Sequence, residues 1–194
     1  GNGKGLHVKG FLGEFKATAT RVAQELNQLA QLGLPLVGLD ASTTFCLQDE
    51  YRDYVDGPLD YQVQLSQEWL VKVLPERAAR MALRIPAQPL QLFTHCTEQT
   101  QRPAAAQTWQ DIFAYWKIPV QLEQTGCCGM AGTYGHEQEH QTQSRQLYAM
   151  SWKNKVEREA ISLVTGFSCR SQVARLSSEQ RALHPLQWLA ENCT

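Results

Sequence analysis

Between positions 11 and 30, the residues Phe11, Phe15, Ala19, Val22, Ala23, Leu26, Leu29 and Ala30 recur at intervals of three and four, which predicts one helix with a single apolar stripe. Gly33 stands where such a helix needs a residue free to take a left-handed conformation and stop it. Leu34 to Leu39 is a short apolar run with Pro35 at its opening, a pattern tolerated at the start of a buried parallel strand. Asp40 to Thr44 then offers several N-cap side chains for a helix carrying Leu47, Tyr51 and Tyr54.

Asp56-Gly57-Pro58 predicts a turn, and Gln67 to Leu83 a helix in two pieces broken at Pro75. Pro86 to Pro89 reads as a linker dividing the chain into halves, 1–89 and 90–194. Beyond it, Leu90 to Phe93 is a strand, Pro103 to Lys117 a helix opened by proline, and Pro119 to Leu122 a second strand. A glycine-rich turn runs from Gly126 to Gly135 and a long polar helix from about Glu137 to Val156. A strand at Ile161 to Val164, a turn at Gly166, a short helix after Cys169 and a last helix from Pro185 to Asn192 complete the chain.

Strands alternating with helices predict an α/β fold: mostly parallel sheet, helices on both sides, two α/β halves. In such a fold the cysteines share an address. Cys46, Cys96, the adjacent pair Cys127 and Cys128, and Cys169 each follow a predicted strand, so all five are expected at the carboxyl ends of the strands, where parallel sheets bind ligands. Leu36-Val37-Gly38 leading to Cys46 echoes Leu163-Val164-Thr165 leading to Cys169, as a two-half plan would.

Composition narrows the function classes. The chain has 194 residues, 43% hydrophobic, with 18 Lys+Arg against 19 Asp+Glu and a net charge of −1. It is apolar enough to fold and has no apolar run long enough to span a membrane. Without a concentrated basic block, nucleic acid is not an expected partner. The first methionine is Met81, so the sequence is expected to be a piece of a longer chain, and no charged segment followed by an apolar one marks a signal peptide. No GxGxxG, GxxxxGKS or GxSxG pattern is present, so dinucleotide or nucleotide binding by those loops is not expected.

The six cysteines are too few for a disulfide scaffold, and neighbouring cysteines seldom bridge each other because the small ring strains the peptide bond. Metal binding accommodates them better. Cys96, Cys127, Cys128 and Cys169 come from three strand ends, and four soft thiolates suit an iron–sulfur cluster, zinc or copper(I). Gly126, Gly129, Gly132 and Gly135 around the pair let the backbone turn tightly and bring its amides close to sulfur. His95, and the pair His136 and His140 at helical spacing, are weaker candidates for ligands or proton carriers; such a pair on a polar helix is more often a solvated face. Cys193, second from the end, reads as a free surface thiol, and Trp69, Trp109, Trp116, Trp152 and Trp188 as core or docking residues.

His95-Cys96, Gly126-Cys127-Cys128-Gly129-Met130-Ala131-Gly132 and Gly166-Phe167-Ser168-Cys169 together resemble the cysteine-rich CCG domain. That domain occurs in the heterodisulfide reductase B subunit, in the iron–sulfur subunits of glycolate oxidase and anaerobic glycerol-3-phosphate dehydrogenase, and at the C-terminus of large FAD-linked dehydrogenases. Thr133-Tyr134-Gly135-His136-Glu137, Ser168-Cys169-Arg170-Ser171-Gln172 and His184-Pro185-Leu186-Gln187 extend the likeness toward bacterial FAD-linked, iron–sulfur-containing D-2-hydroxyglutarate dehydrogenase-type oxidoreductases. The match covers about residues 90 to 194; residues 11 to 55 match more loosely, with Cys46 similar to the last cysteine of a preceding repeat. One departure stands out. The family motif closes with CxxC, whereas here Cys169 stands alone, with Phe167 and Gln172 on either side, so the five-cysteine cluster of the reductase is not expected.

The resemblance implies that residues 1–89 form a degenerate cysteine-rich half and 90–194 a CCG-type half. It implies a 4Fe–4S cluster on Cys96, Cys127, Cys128 and Cys169, with Cys46 as a further cofactor-binding residue. It also implies FAD on a flavin domain of the same parent chain, an electron acceptor as partner, and a cytoplasmic location with membrane contact only through that acceptor. No residue of the chain is expected to be catalytic, and the piece alone is not expected to be active. A zinc-stabilised docking module and a thiol–disulfide active domain remain as alternative readings of the same cysteines.

Overall fold

The computed structural model describes all 194 residues, which form two compact units, Gly1–Trp69 and Leu70–Thr194. In the first, α1 (Lys4–Val8) and α2 (Leu12–Gln31) lead to β1 (Leu36–Gly38). Then come α3 (Ala41–Phe45), a π-helical turn at Cys46–Glu50, α4 (Tyr51–Tyr54), β2 (Val63–Leu65) and α5 (Ser66–Val73), within which the units divide. The two strands pair in parallel, Leu36 beside Val63. The apolar stripe of α2 buries Phe15, Ala19 and Ala23, while Phe11 and Leu29 at its ends stay exposed. Asp40 caps α3 by accepting from the Thr43 N–H at 3.1 Å.

The second unit holds β3 (Leu90–Phe93), α6 (Cys96–Gln101), α7 (Ala105–Ala114), β4 (Val120–Leu122), α8 (Gln141–Ser151) and α9 (Lys153–Val156). It continues with β5 (Ile161–Val164), α10 (Phe167–Leu176), β6 (Ala182–Leu183) and α11 (Pro185–Asn192). Its sheet is wholly parallel in the order β4-β3-β5-β6. Strand alternation sorts two cores onto opposite faces. Leu90, Leu92 and Leu163 pack with Trp109, Ile112, Phe113 and Trp188, whereas Phe93 and Val164 pack with Tyr148, Trp152, Val156 and Val173. Cys128 and Cys169 belong to the second of these cores.

The α/β class with parallel strands and flanking helices is what the alternation predicts. Several details differ. The units divide at Trp69–Leu70 rather than in the 86–89 linker, because the segment before the linker packs on the second unit: Leu74 joins its core, the Met81 carbonyl accepts from the Trp116 indole at 2.8 Å, and Leu83 bridges Cys193. The helix expected to reach Leu83 ends at Val73 and gives way to single 3-10 turns. The polar helix expected from Glu137 begins only at Gln141, after two 3-10 turns, and is interrupted at Trp152. Strands β2 and β6 and helix α6 were not expected. The first two are too short to alternate visibly, and Cys96–Gln101 has no apolar stripe.

Candidate metal centre

In the four-stranded sheet β3 sits between β4 and β5, so the connection leaving β3 runs to one side and that leaving β5 to the other. Their carboxyl ends therefore flank a crevice of the kind in which open parallel sheets hold ligands. Both connections open at once into helices. The His95 ring caps α6, its Nδ1 accepting from the Thr97 N–H at 3.2 Å, which makes Cys96 the first residue of that helix. Gly166 caps α10, and Cys169 follows in its first turn, inside the helix rather than ahead of it as the sequence pattern suggests. Both thiols thus lie where helix dipoles favour negative charge.

The two connections are latched together. The His95 N–H donates to Thr165 Oγ1 at 2.9 Å, and that hydroxyl donates to Glu98 Oε2 at 2.6 Å. His95, Thr165 and Glu98 are all buried. Gly166 is required by space: a β-carbon there would fall 2.5 Å from His95 Cδ2 and 2.9 Å from Cys169 Sγ.

Cys127 and Cys128 arrive on the turn after β4. Gly129 has φ +88, and a β-carbon there would lie 2.2 Å from the Ser144 carbonyl of α8, so only glycine lets the turn press against that helix. From α10, the Gln172 amide donates to the Cys128 carbonyl and to Ser144 Oγ, each at 2.9 Å, and Arg175 donates to the Gly135 carbonyl at 2.6 Å. The turn is held from both sides.

Together these elements bring four thiols into one chain of contacts, Cys96 to Cys127, Cys127 to Cys128 and Cys128 to Cys169. Cys128 and Cys169 are buried, while Cys96 and Cys127 are half-buried. Backbone amides converge on the sulfurs: Thr97 toward Cys96, Gly129 at 3.3 Å and Ala131 toward Cys127, and Met130 toward Cys128. The Cys128 and Cys96 thiols beside it, and then these amides, hold Cys127 well below the ordinary thiol range. The same neighbour and then burial push Cys96 up, and contact with Cys127 and Cys169 together with burial pushes Cys128 up. Burial of neighbouring thiols opposes their joint ionisation unless a cation shares the charge.

Cys46 belongs to the first unit, in the core with Phe15, Tyr51 and Tyr61 and beyond the end of the two-stranded sheet, so the five cysteines do not share one sheet. Burial raises its thiol above the ordinary range. Cys193 is exposed. His136 and His140 lie on consecutive 3-10 turns, not on one helix; His140 stacks on Tyr134 at 4.1 Å, with the Glu137 and Glu139 carboxylates each 3.5 Å from its Nε2. Trp109, Trp152 and Trp188 are buried core residues. Thr165, Glu98 and Ser144 escape a sequence reading, because a buried hydroxyl or carboxylate carries no spacing signature.

Thiols from three strand-end connections thus follow one another at the carboxyl ends of the second sheet. The chain is 45% identical over 188 residues to a D-2-hydroxyglutarate dehydrogenase of Pseudomonas putida, covering 96% of this chain and 18% of that protein. It is 39% identical over 193 residues to the protein of the same name from Escherichia coli, covering 98% and 19%. A more distant relative is a subunit of the anaerobic glycerol-3-phosphate dehydrogenase of Escherichia coli, 25% identical over 195 residues, 96% of this chain and 48% of that protein. The chain therefore corresponds to a segment of oxidoreductases, spanning less than a fifth of the hydroxyglutarate dehydrogenases it matches. No protein-family model matches the sequence, and no solved structure does. No helix is long and apolar enough to cross a membrane.

Proposed function

We propose that this chain is the C-terminal, CCG-type electron-transfer part of a larger FAD-dependent D-2-hydroxyacid dehydrogenase, holding a four-iron cluster on Cys96, Cys127, Cys128 and Cys169. The observation that carries the reading is the convergence of these four thiols from three strand ends, with backbone amides directed at the sulfurs of Cys96, Cys127 and Cys128. The donor set fits the group: four soft thiolates match its ligand number, and N–H donors to sulfur are a means by which proteins tune such clusters. Buried thiolates without a cation would be costly, and a cationic core removes that cost.

A bound cluster would supply one-electron transfer between the flavin of another domain and an external acceptor. The chain's own residues do the rest. Cys128 and Cys169, anchored in the core, fix one side of the site, while half-buried Cys96 and Cys127 form the side nearer solvent, where electrons would enter or leave. The amides of Thr97, Gly129, Met130 and Ala131 stabilise negative charge on sulfur, and the latch from His95 through Thr165 to Glu98 keeps two ligand-bearing connections in register. The flavin domain of the parent chain would be the docking partner, the first half would be a degenerate counterpart of the second, and the setting would be cytoplasmic.

Metal analysis after anaerobic purification tests the assignment. Iron with labile sulfide, about four of each per chain, is the expected result. Stoichiometric zinc without sulfide would replace it with a structural zinc site.

A further inference from the structure

Three further donors meet where the chain runs from the cysteine turn through two 3-10 turns into α8. One ligating atom from each of Glu137, Glu139 and His140 lies within 4.8 Å of the other two. The His140 Nε2 stands 3.5 Å from Glu137 Oε2 and 3.5 Å from Glu139 Oε1. Both separations exceed the length of a hydrogen bond between such groups, about 2.7–3.2 Å. An imidazolium held by charge alone would close on one carboxylate to that length, yet the nitrogen keeps the same distance from both. Two ligands each about 2.0–2.2 Å from a tetrahedral ion are themselves about 3.4 Å apart. The observed spacing is that of atoms around a shared ion.

Neighbouring side chains orient these donors. The Tyr134 ring lies on the His140 imidazole, with centroids 4.1 Å apart and planes 10° from parallel, and so fixes the plane of the ring. The Thr133 hydroxyl donates to Glu137 Oε1 at 3.1 Å, which leaves Oε2 turned toward His140. A donor on the second oxygen of a carboxylate is the kind of outer contact that aims a metal ligand.

We propose that Glu137, Glu139 and His140 bind a divalent transition-metal ion, zinc or manganese, at a site apart from the four cysteines. One imidazole and two carboxylates accept either ion, whereas thiolates select against manganese. Three protein ligands leave one position of a tetrahedron to water. The site lies at the exit of the cysteine turn: the Gly135 N–H donates to the Met130 carbonyl, the Gly135 carbonyl accepts from Arg175, and His140 precedes the first residue of α8. The ion ties that exit to the start of α8, and because it binds only the folded chain it stabilises the fold as its concentration rises. This assignment does not rest on the iron–sulfur reading.

The test titrates the whole 194-residue chain with manganese(II), following the electron paramagnetic resonance signal of the free aqueous ion, for wild type, Glu139→Gln, His140→Gln and Cys127→Ser. Wild type and Cys127→Ser are expected to take up about one manganese per chain with the same affinity. Glu139→Gln and His140→Gln should each weaken binding by roughly tenfold or more. Manganese should raise the thermal unfolding temperature of wild type and leave that of Glu139→Gln unchanged. Glu139 is exposed, so its substitution spares the fold and tests the proposal even if His140→Gln is unstable. Ion pairing alone would give no saturable manganese binding, and that result, or wild-type affinity in Glu139→Gln, would overturn the proposal. Binding lost in Cys127→Ser and kept in His140→Gln would place the ion on the thiols and overturn it equally.

Discussion

Gly166 and His95 are packed so closely that a β-carbon on the glycine would lie 2.5 Å from the imidazole Cδ2. The backbone of Gly166 is in an ordinary extended conformation, with φ −76 and ψ 130, so alanine is excluded by space and not by strain. Gly166→Ala must push apart the cap of α6 and the first turn of α10, which carry Cys96 and Cys169. We expect a loss of about 1–3 kcal/mol, the usual cost of overpacking, with lowered metal content. Urea unfolding and metal analysis check both, and an alanine variant of wild-type stability would show that the two connections yield easily.

The Thr165 hydroxyl links the His95 N–H to the buried Glu98 carboxylate. Thr165→Val keeps the shape and removes the hydroxyl, so the His95 N–H and the Glu98 carboxylate each lose one hydrogen bond, a loss of about 1–3 kcal/mol. Thr165→Ser, which restores the hydroxyl, should recover most of it. Equal stability of the valine and serine variants in denaturant titration would mean that the latch contributes nothing measurable.

The first unit should be sensitive to alkali. Burial raises the thiol of Cys46 and the phenols of Tyr51 and Tyr61, the last to about 12. Each is held neutral in the fold, so its contribution is fully present below its unfolded value and is lost as pH rises from there toward its folded value. Stability should therefore fall from about pH 9 upward, where unfolded cysteine and then tyrosine ionise. Tyr61→Phe should flatten this decline while costing the hydrogen bond from its hydroxyl to the Leu47 carbonyl. Thermal unfolding between pH 8 and 11 measures it. An unchanged slope in that variant would contradict the assignment.

Much of this arrangement is legible in the sequence, and the parts that are not have physical causes. Leu90 to Phe93 and Ile161 to Val164 are apolar runs of strand length, and once parallel strands are inferred, whatever follows each strand must meet at one edge. That reasoning locates Cys96, Cys127, Cys128 and Cys169 together. It does not reveal that Cys46, which also follows a strand, follows one of a separate two-stranded sheet. Helix α6 is missed because its start is marked by a histidine cap and not by Ser, Thr, Asp or Asn. The capping by His184, whose Nδ1 accepts from the Leu186 N–H at 3.2 Å ahead of α11, is hidden for the same reason.

Cys193 is exposed near the chain end, and Cys193→Ser should change neither metal content nor stability. Reactivity toward a thiol reagent before and after metal loading separates it from the others. Cys193 should react in both states, and Cys96 and Cys127 only in the unloaded one. Protection of Cys193 on loading would place it in the site.

The central claim is that the adjacent pair ligates a cluster, and visible absorbance per chain after anaerobic reconstitution tests it most directly. Serine at Cys127 or Cys128 replaces a soft thiolate with a harder, far less acidic oxygen. Each variant should lose most of the broad iron–sulfur absorbance that the wild type develops, while retaining the wild-type near-ultraviolet circular dichroism of the fold. Wild-type absorbance in both serine variants would contradict the account.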